Sequence, residues 1–181
     1  MAAARKRFLA GERVDMQAIA RELGLARATM HRWFGTREQL LGELLADMGE
    51  ERLRALRART AGSGALALLD GFDAFNREMA TASSLRMLLV QEQDLALRIL
   101  TSANGLVQPR LIGVVHDLIV KELEHEDFEP AAEPEVLAYA IVRLAEAFLY
   151  NEAIVGLRGD TERLRELEAA LLGLGRGAGR K

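Results

Sequence analysis

Residues 27–32, RATMHR, bring two guanidinium groups, an imidazole, a hydroxyl and an alanine methyl into six positions. An Arg side chain can grip a guanine edge with two parallel hydrogen bonds, and an Ala or Thr methyl can touch the methyl of thymine. Thr29 and His31 are sized for phosphate oxygens, which fix register without reading sequence. If the segment is helical, Met30, Trp33 and Phe34 share one face, and Arg27, Ala28, Thr29, His31 and Arg32 lie off it. One side is then available for packing and the other for binding.

The preceding residues predict how such a helix is positioned. Asp15 is a strong N-cap, since its carboxylate can accept the free N–H groups of a first turn. Ile19, Ala20 and Leu23 follow at helical spacing, and Gly24 supplies the positive φ that ends a helix. Two helices joined by a tight glycine turn are the sequence form of a helix-turn-helix, whose second helix enters the DNA major groove. Gly35-Thr36-Arg37-Glu38 is a turn into a third helix, with Thr36 as its cap. A helix N-terminus beside Arg37 favours a phosphate. The expected DNA-contacting set is therefore Arg27, Ala28, Thr29, His31, Arg32, Trp33, Thr36 and Arg37. The bland alternative is a solvated amphipathic hairpin carrying scattered arginines.

The order Ile-Ala-x-x-Leu-Gly-Leu, Ala-Thr-Met-x-x-Trp-Phe and Gly-Thr-Arg-Glu-x-Leu-Leu resembles the DNA-binding domain of the TetR family of repressors. The resemblance places Ala26 at the family's first position after the turn, Arg27 and Ala28 at its base-reading pair, and Thr29 after them. His31 stands where the family usually has a phosphate-binding Tyr, and Arg37 where it usually has Lys. RFLAGERVDMQAIARELG and FLYNEAIVGLRGD extend the resemblance to the QsdR-type subgroup, which is linked to degradation of lactone quorum signals. The family implies an all-α fold: an N-terminal three-helix DNA-binding domain with the helix-turn-helix, and a C-terminal helical domain for ligand binding and dimerisation. It also implies a repressor that binds a palindromic operator as a homodimer and is released by a small apolar effector, lactone-like if the subgroup resemblance extends to the ligand.

Charge is divided along the chain in a way that suits this scheme. Residues 1–60 carry 12 Lys+Arg against 8 Asp+Glu, and residues 61–181 carry 12 against 19, so a total of −3 conceals a basic head and an acidic body. Cysteine is absent, which excludes a disulfide framework, a thiolate zinc site and a Cys nucleophile. No run approaches the ~18 apolar residues of a membrane span, and the basic start has no apolar stretch behind it to make a signal peptide. A cytoplasmic setting is expected. There is no Gly-rich phosphate loop, G-x-S-x-G elbow or H-E-x-x-H pair, so neither an enzyme nor a cofactor is expected.

Helical periodicity runs through the rest of the chain, with no strand-like alternation. The expected division is 1–46 for the DNA-binding domain, 47–175 for the effector-binding and dimerisation domain, and 176–181 for a basic tail. Expected helices cover about 3–10, 37–59, 65–80, 85–91 (capped by Ser83 or Ser84), 94–101, 109–125, 135–154 and 161–174. An effector pocket is expected to draw on Phe72, Phe75, Met79, Leu89, Ile99 and Ile112 as apolar wall, with Leu95 and Val115. His116 could orient a ligand carbonyl, although a structural histidine is the ordinary outcome. Tyr139, Arg143, Glu146 and Tyr150 recur along one apolar helix, and Asn151 follows them. Arg143 and Glu146 are spaced to pair, either at a ligand or at a dimer seam.

Leu164, Leu167, Leu171 and Leu174 form the stripe expected to make the dimer interface. Two recognition helices must lie roughly 34 Å apart to span successive major grooves. His125 with its acidic neighbours fits no zinc spacing and reads as a solvated rim, so no metal is expected. The expected partners are a double-stranded DNA operator, a small-molecule effector and a second copy of the chain, with no membrane. The competing class is an all-α protein–protein adaptor retaining a degenerate helix-turn-helix.

Overall fold

The computed structural model describes residues 1–124, 128–130, 132–150 and 160–174. Asn151, the metal-like run at 125–127, the turn at 156–159 and the tail at 176–181 lie outside the described residues. The described part is helical throughout: α1 (Ala2–Leu9), α2 (Met16–Glu22), α3 (Arg27–Phe34), α4 (Arg37–Arg57), α5 (Gly64–Thr81), α6 (Ser83–Gln91), α7 (Gln93–Thr101), α8 (Val107–Glu122), α9 (Pro134–Leu149) and α10 (Thr161–Leu171). No helix among the described residues is long and apolar enough to cross a membrane. Most expected boundaries fall within a few residues of these. Ser83 and Ser84 lie inside α6, whose N-cap is Ala82 with no side-chain capping bond.

The chain forms two compact units, and the division is not a single cut. One unit joins Met1–Met48 to Ala82–Gln108; the other joins Gly49–Thr81 to the segment from Pro109 onward. A boundary after residue 46 thus falls within the long α4. Helices α6 and α7, expected in the body, belong instead with the head.

The head unit is closed by apolar residues from each of its helices. Phe8, Val14, Ile19, Ala20, Met30, Leu40, Leu41, Leu44, Leu88, Leu89, Ala96 and Ile99 are all buried. Leu89 and Ile99, expected to line an effector pocket, are interior residues of this unit. Burial of side chains of this kind contributes roughly 1.5–3 kcal/mol each, which holds short helices such as the seven-residue α2 that would not persist alone.

In the body unit α10 packs on α5 and α9, and α5 packs on α9. Leu68, Leu69, Phe72, Phe75, Val114, Val115, Ile119, Leu137, Ile141 and Leu172 form its core, with Met79 and Ile112 half-buried against it. Two polar groups are set into this interior. The fully buried Glu168 carboxylate accepts hydrogen bonds from Asn76 Nδ2 at 2.9 and 3.1 Å. Glu122 joins three helices, accepting from Arg57 at the end of α4 and from the Gly64 amide that opens α5, at 2.5 and 2.6 Å.

Candidate nucleic-acid interface

Local chemistry builds the helix-turn-helix as the sequence predicts. The Ala18 amide donates to Asp15 Oδ1 at 2.7 Å, capping α2. That bond holds the Asp15 carboxyl below its ordinary range, since a hydrogen bond to the charged form favours it. Gly24 turns the chain with φ +64°, and α3 begins three residues later. At the far end Gly35 has φ +64° and ψ −109°, a conformation closed to residues with a Cβ.

Thr36 then starts α4 with a reciprocal capping box. Its Oγ1 accepts from the Gln39 amide at 3.1 Å, and Gln39 Oε1 accepts from the Thr36 amide at 2.8 Å. The turn on each side of α3 is therefore fixed, and the rigid helix between them can present side chains with a defined register.

Met30 is the residue of α3 that enters the core, at 1% exposure. Phe34 is half-buried, while Arg27, Ala28, His31 and Arg32 are exposed and Thr29 is half-buried. Trp33 departs from its expected place on the packing face: it is 57% exposed and touches Phe34 edge-on, with ring centroids 6.4 Å apart. The ring therefore stands on the exposed side of α3. A cleft of about 850 Å³ opens beside it, lined by Trp33, Phe34, Thr36, Glu38, Arg98 and Leu106 among others. Of the residues expected to line an effector pocket, Ile99 alone borders this cleft.

Arg37 has partners that its local sequence does not indicate. Its Nη1 and Nη2 donate to the two oxygens of Glu92 at 2.6 and 2.7 Å, and its Nε donates to the Val14 carbonyl at 2.6 Å. Three of its five N–H donors are thus engaged inside the head, which gives Arg37 a structural role beside the phosphate contact expected of it. A cation in the first turn opposes the helix dipole of α4, and the Glu92 carboxylate offsets this. Arg37 in turn holds the Glu92 carboxyl below its ordinary range.

The pair ties the α6–α7 corner to the residue that follows the recognition helix and its turn. Arg37→Gln should lower unfolding free energy by about 1–2 kcal/mol, discounted for partial exposure. Glu92→Gln should cost a similar amount, and the double variant no more than either, as read by urea unfolding. An Arg37→Gln protein of unchanged stability that lost DNA affinity would leave Arg37 the phosphate role alone.

His31 also departs from expectation. Its Nδ1 lies 2.9 Å from the Gly35 carbonyl oxygen, and its Nε2 lies 3.3 Å from Arg27 Nε. A neutral imidazole has one N–H, and the Gly35 carbonyl occupies it, so none remains for a phosphate oxygen.

The body residues singled out from sequence separate into two groups. Glu146 and Tyr150 are buried, at 7% each, whereas Tyr139 is 54% exposed. Arg143, also exposed, donates to Glu146 at 2.7 Å, forming the expected pair. Burial and the Glu146 charge together push the Tyr150 phenol well above its ordinary range. His116 is half-buried between Asp117 and Glu135, 3.6 Å from each, so its ring faces charged neighbours rather than an apolar wall. On α10, Leu164 is fully buried in its own unit, Leu171 is half-buried and Leu167 is 42% exposed, while Leu174, just past the helix end, is 41% exposed. The expected leucine stripe is therefore split between two directions.

A sequence model of the tetracyclin repressor-like C-terminal domain matches residues 63–173. Among solved structures, the R. erythropolis transcriptional repressor QsdR of the TetR family is similar, with TM-score 0.86 and 28% identity over 98% of this chain and 94% of that one. The TetR-family repressor AlkX from Dietzia sp. strain DQ12-45-1b, implicated in biodegradation of n-alkanes, shares the fold. Its TM-score is 0.66 at 23% identity, over 94% and 95% of the two chains. No curated protein matches the chain. The domain match, the capped helix-turn-helix and the all-helical body agree: the chain belongs to the tetracyclin repressor-like, or TetR, family.

Proposed function

We propose that this chain is a ligand-responsive, DNA-binding transcriptional regulator that represses from a palindromic operator as a homodimer and is released by a small apolar effector. The observation that carries this is the exposed face of α3, where Arg27, Ala28, His31 and Arg32 stand on a helix anchored by Met30 and fixed at both turns. Arg27 and Ala28 read bases from the major groove, and Arg32 with Thr29 and Thr36 supports the phosphate register. The repressor QsdR is the relative that favours a repressing role and the QsdR-type subgroup; a lactone-like effector rests on the subgroup resemblance.

The dimer surface is the exposed apolar side of α9 and α10. Val136 and Tyr139 on α9, Leu167 on α10 and Leu174 just beyond its end are each about half exposed, at 41–58%. The body core around Phe72, Phe75, Met79 and Ile112 holds the effector. Because α4 runs unbroken from Arg37 to Arg57, an effector that favours one α4 orientation shifts the population away from the DNA-binding state.

Arg27→Ala tests the reading role. On an operator recovered by unbiased selection of bound fragments it should cost about 1–3 kcal/mol and relax preference at one base position. Equal loss on random duplex would show that Arg27 contacts only phosphate. No DNA association by the parent protein would favour the adaptor class instead.

A further inference from the structure

We infer that His31 is a positioning residue for DNA reading, one that orients the Arg27 guanidinium and does so only while its imidazole is neutral. The inference rests on the assignment of α3 as the reading helix and deepens it. Arg27, His31 and Gly35 stand four residues apart and so form one column along α3. Two hydrogen bonds run down that column. The Gly35 carbonyl can only accept, so the Nδ1 atom 2.9 Å from it carries the proton. Arg27 Nε–H can only donate, so the Nε2 atom 3.3 Å from it presents a lone pair. The neutral Nδ1–H tautomer alone satisfies both bonds.

The consequence for Arg27 follows from the shape of the guanidinium. With Nε held by His31, rotation about the last side-chain bonds is restrained, and the Nη1 and Nη2 donors stay outside this contact. Those two donors are the pair that meets guanine O6 and N7 in a bidentate contact. Part of the ordering entropy is then lost before DNA arrives, which favours specific binding.

Protonation reverses each element of the arrangement. An imidazolium has N–H at both nitrogens, so Nε2–H would face Nε–H, and two cations would meet at hydrogen-bond distance. Arg27 is released, while the new Nε2–H becomes free to donate to a phosphate. Arg27 is the charged group that meets the ring, Arg32 is next on the same helix, and the ring's other contact is the uncharged Gly35 carbonyl. No described carboxylate pairs with His31 to counter this. Acid should therefore exchange base reading for non-specific attraction at a single position.

The test compares a selected operator duplex with a scrambled duplex of the same length, by fluorescence anisotropy on the full-length protein at fixed salt. Imidazole changes charge between about pH 5 and 8, so that range is covered. The operator-over-scrambled affinity ratio of the parent protein should fall roughly fivefold toward the acid end, the lower value of one bidentate base contact. His31→Ala should show a reduced ratio that does not change with pH. His31→Gln, which keeps a neutral donor and acceptor, should give a ratio above that of His31→Ala and equally flat. A parent ratio that is flat with pH, or a His31→Gln ratio that titrates as the parent's does, would overturn the inference while leaving DNA reading in place. No discrimination between the duplexes at any pH would overturn the reading assignment itself, and this inference with it.

Discussion

Between about pH 5 and about pH 9 the protein should lose about 3–5 kcal/mol of unfolding free energy, and Glu168→Gln should abolish most of that loss. Glu168 is fully buried in the body core. Burial pushes its carboxyl up to about 8, opposed by the Asn76 hydrogen bond, with the Asp73 charge raising it further and Arg165 lowering it. In the unfolded chain it would titrate near the ordinary carboxylate value of 4.5. The folded state therefore binds the proton more tightly, so its stabilisation is complete below the unfolded value and is lost as pH rises through about 8.

Carboxyls held low, those of Asp15, Glu92 and Asp117, act in the opposite window. Their stabilisation is present at neutral pH and disappears in acid. Urea midpoints at fixed protein concentration separate the two ranges. A glutamine at 168 keeps the shape and cannot ionise, so the variant should be the more stable protein at the alkaline end. An alkaline loss of the same size in Glu168→Gln would mean that another group is responsible.

Leu167→Glu should give a folded monomer whose operator affinity is lower by about 10²–10⁴, the range in which linking two binding modules acts. Leu164→Glu, one turn away, should give a protein that does not fold. The contrast rests on burial: Leu164 is 0% exposed and Leu167 42% exposed in the single chain. A glutamate at 167 costs nothing until a second copy covers it, whereas one at 164 places an unpaired charge in the core. Sedimentation and circular dichroism read the two outcomes independently. An unchanged dimer with Leu167→Glu would move the interface away from α10.

How much of this was legible in sequence depended on the distance between interacting residues. The helix-turn-helix was readable because its determinants are local: Asp15 caps α2 through an amide three residues on, and Gly24 and Gly35 supply the turns. The structural role of Arg37 was not readable because its partner, Glu92, lies 55 positions away, and no local pattern indicates it. The same fact explains the head's extent, since α6 and α7 join it through contacts that leave no mark on spacing.

The α10 stripe failed for a related reason. A charged residue on an amphipathic helix is expected to face water, yet Glu168 is turned inward by Asn76, 92 positions upstream. Its inward face is thus Leu164, Glu168 and Leu172, and the leucines at 167 and 174 are left outside. His31 was read as a phosphate ligand because residue type was visible and tautomer was not; the Gly35 carbonyl determines the latter.

The most direct test of the account titrates the full-length protein against its selected operator duplex over a range of salt. A dimer contacting roughly six to ten phosphates should bind saturably, with log affinity falling linearly against log salt at a slope near −0.9 per phosphate, and should prefer the operator to a scrambled duplex throughout. Absence of association at low salt, or equal affinity for both duplexes, would contradict the assignment of α3 to the major groove.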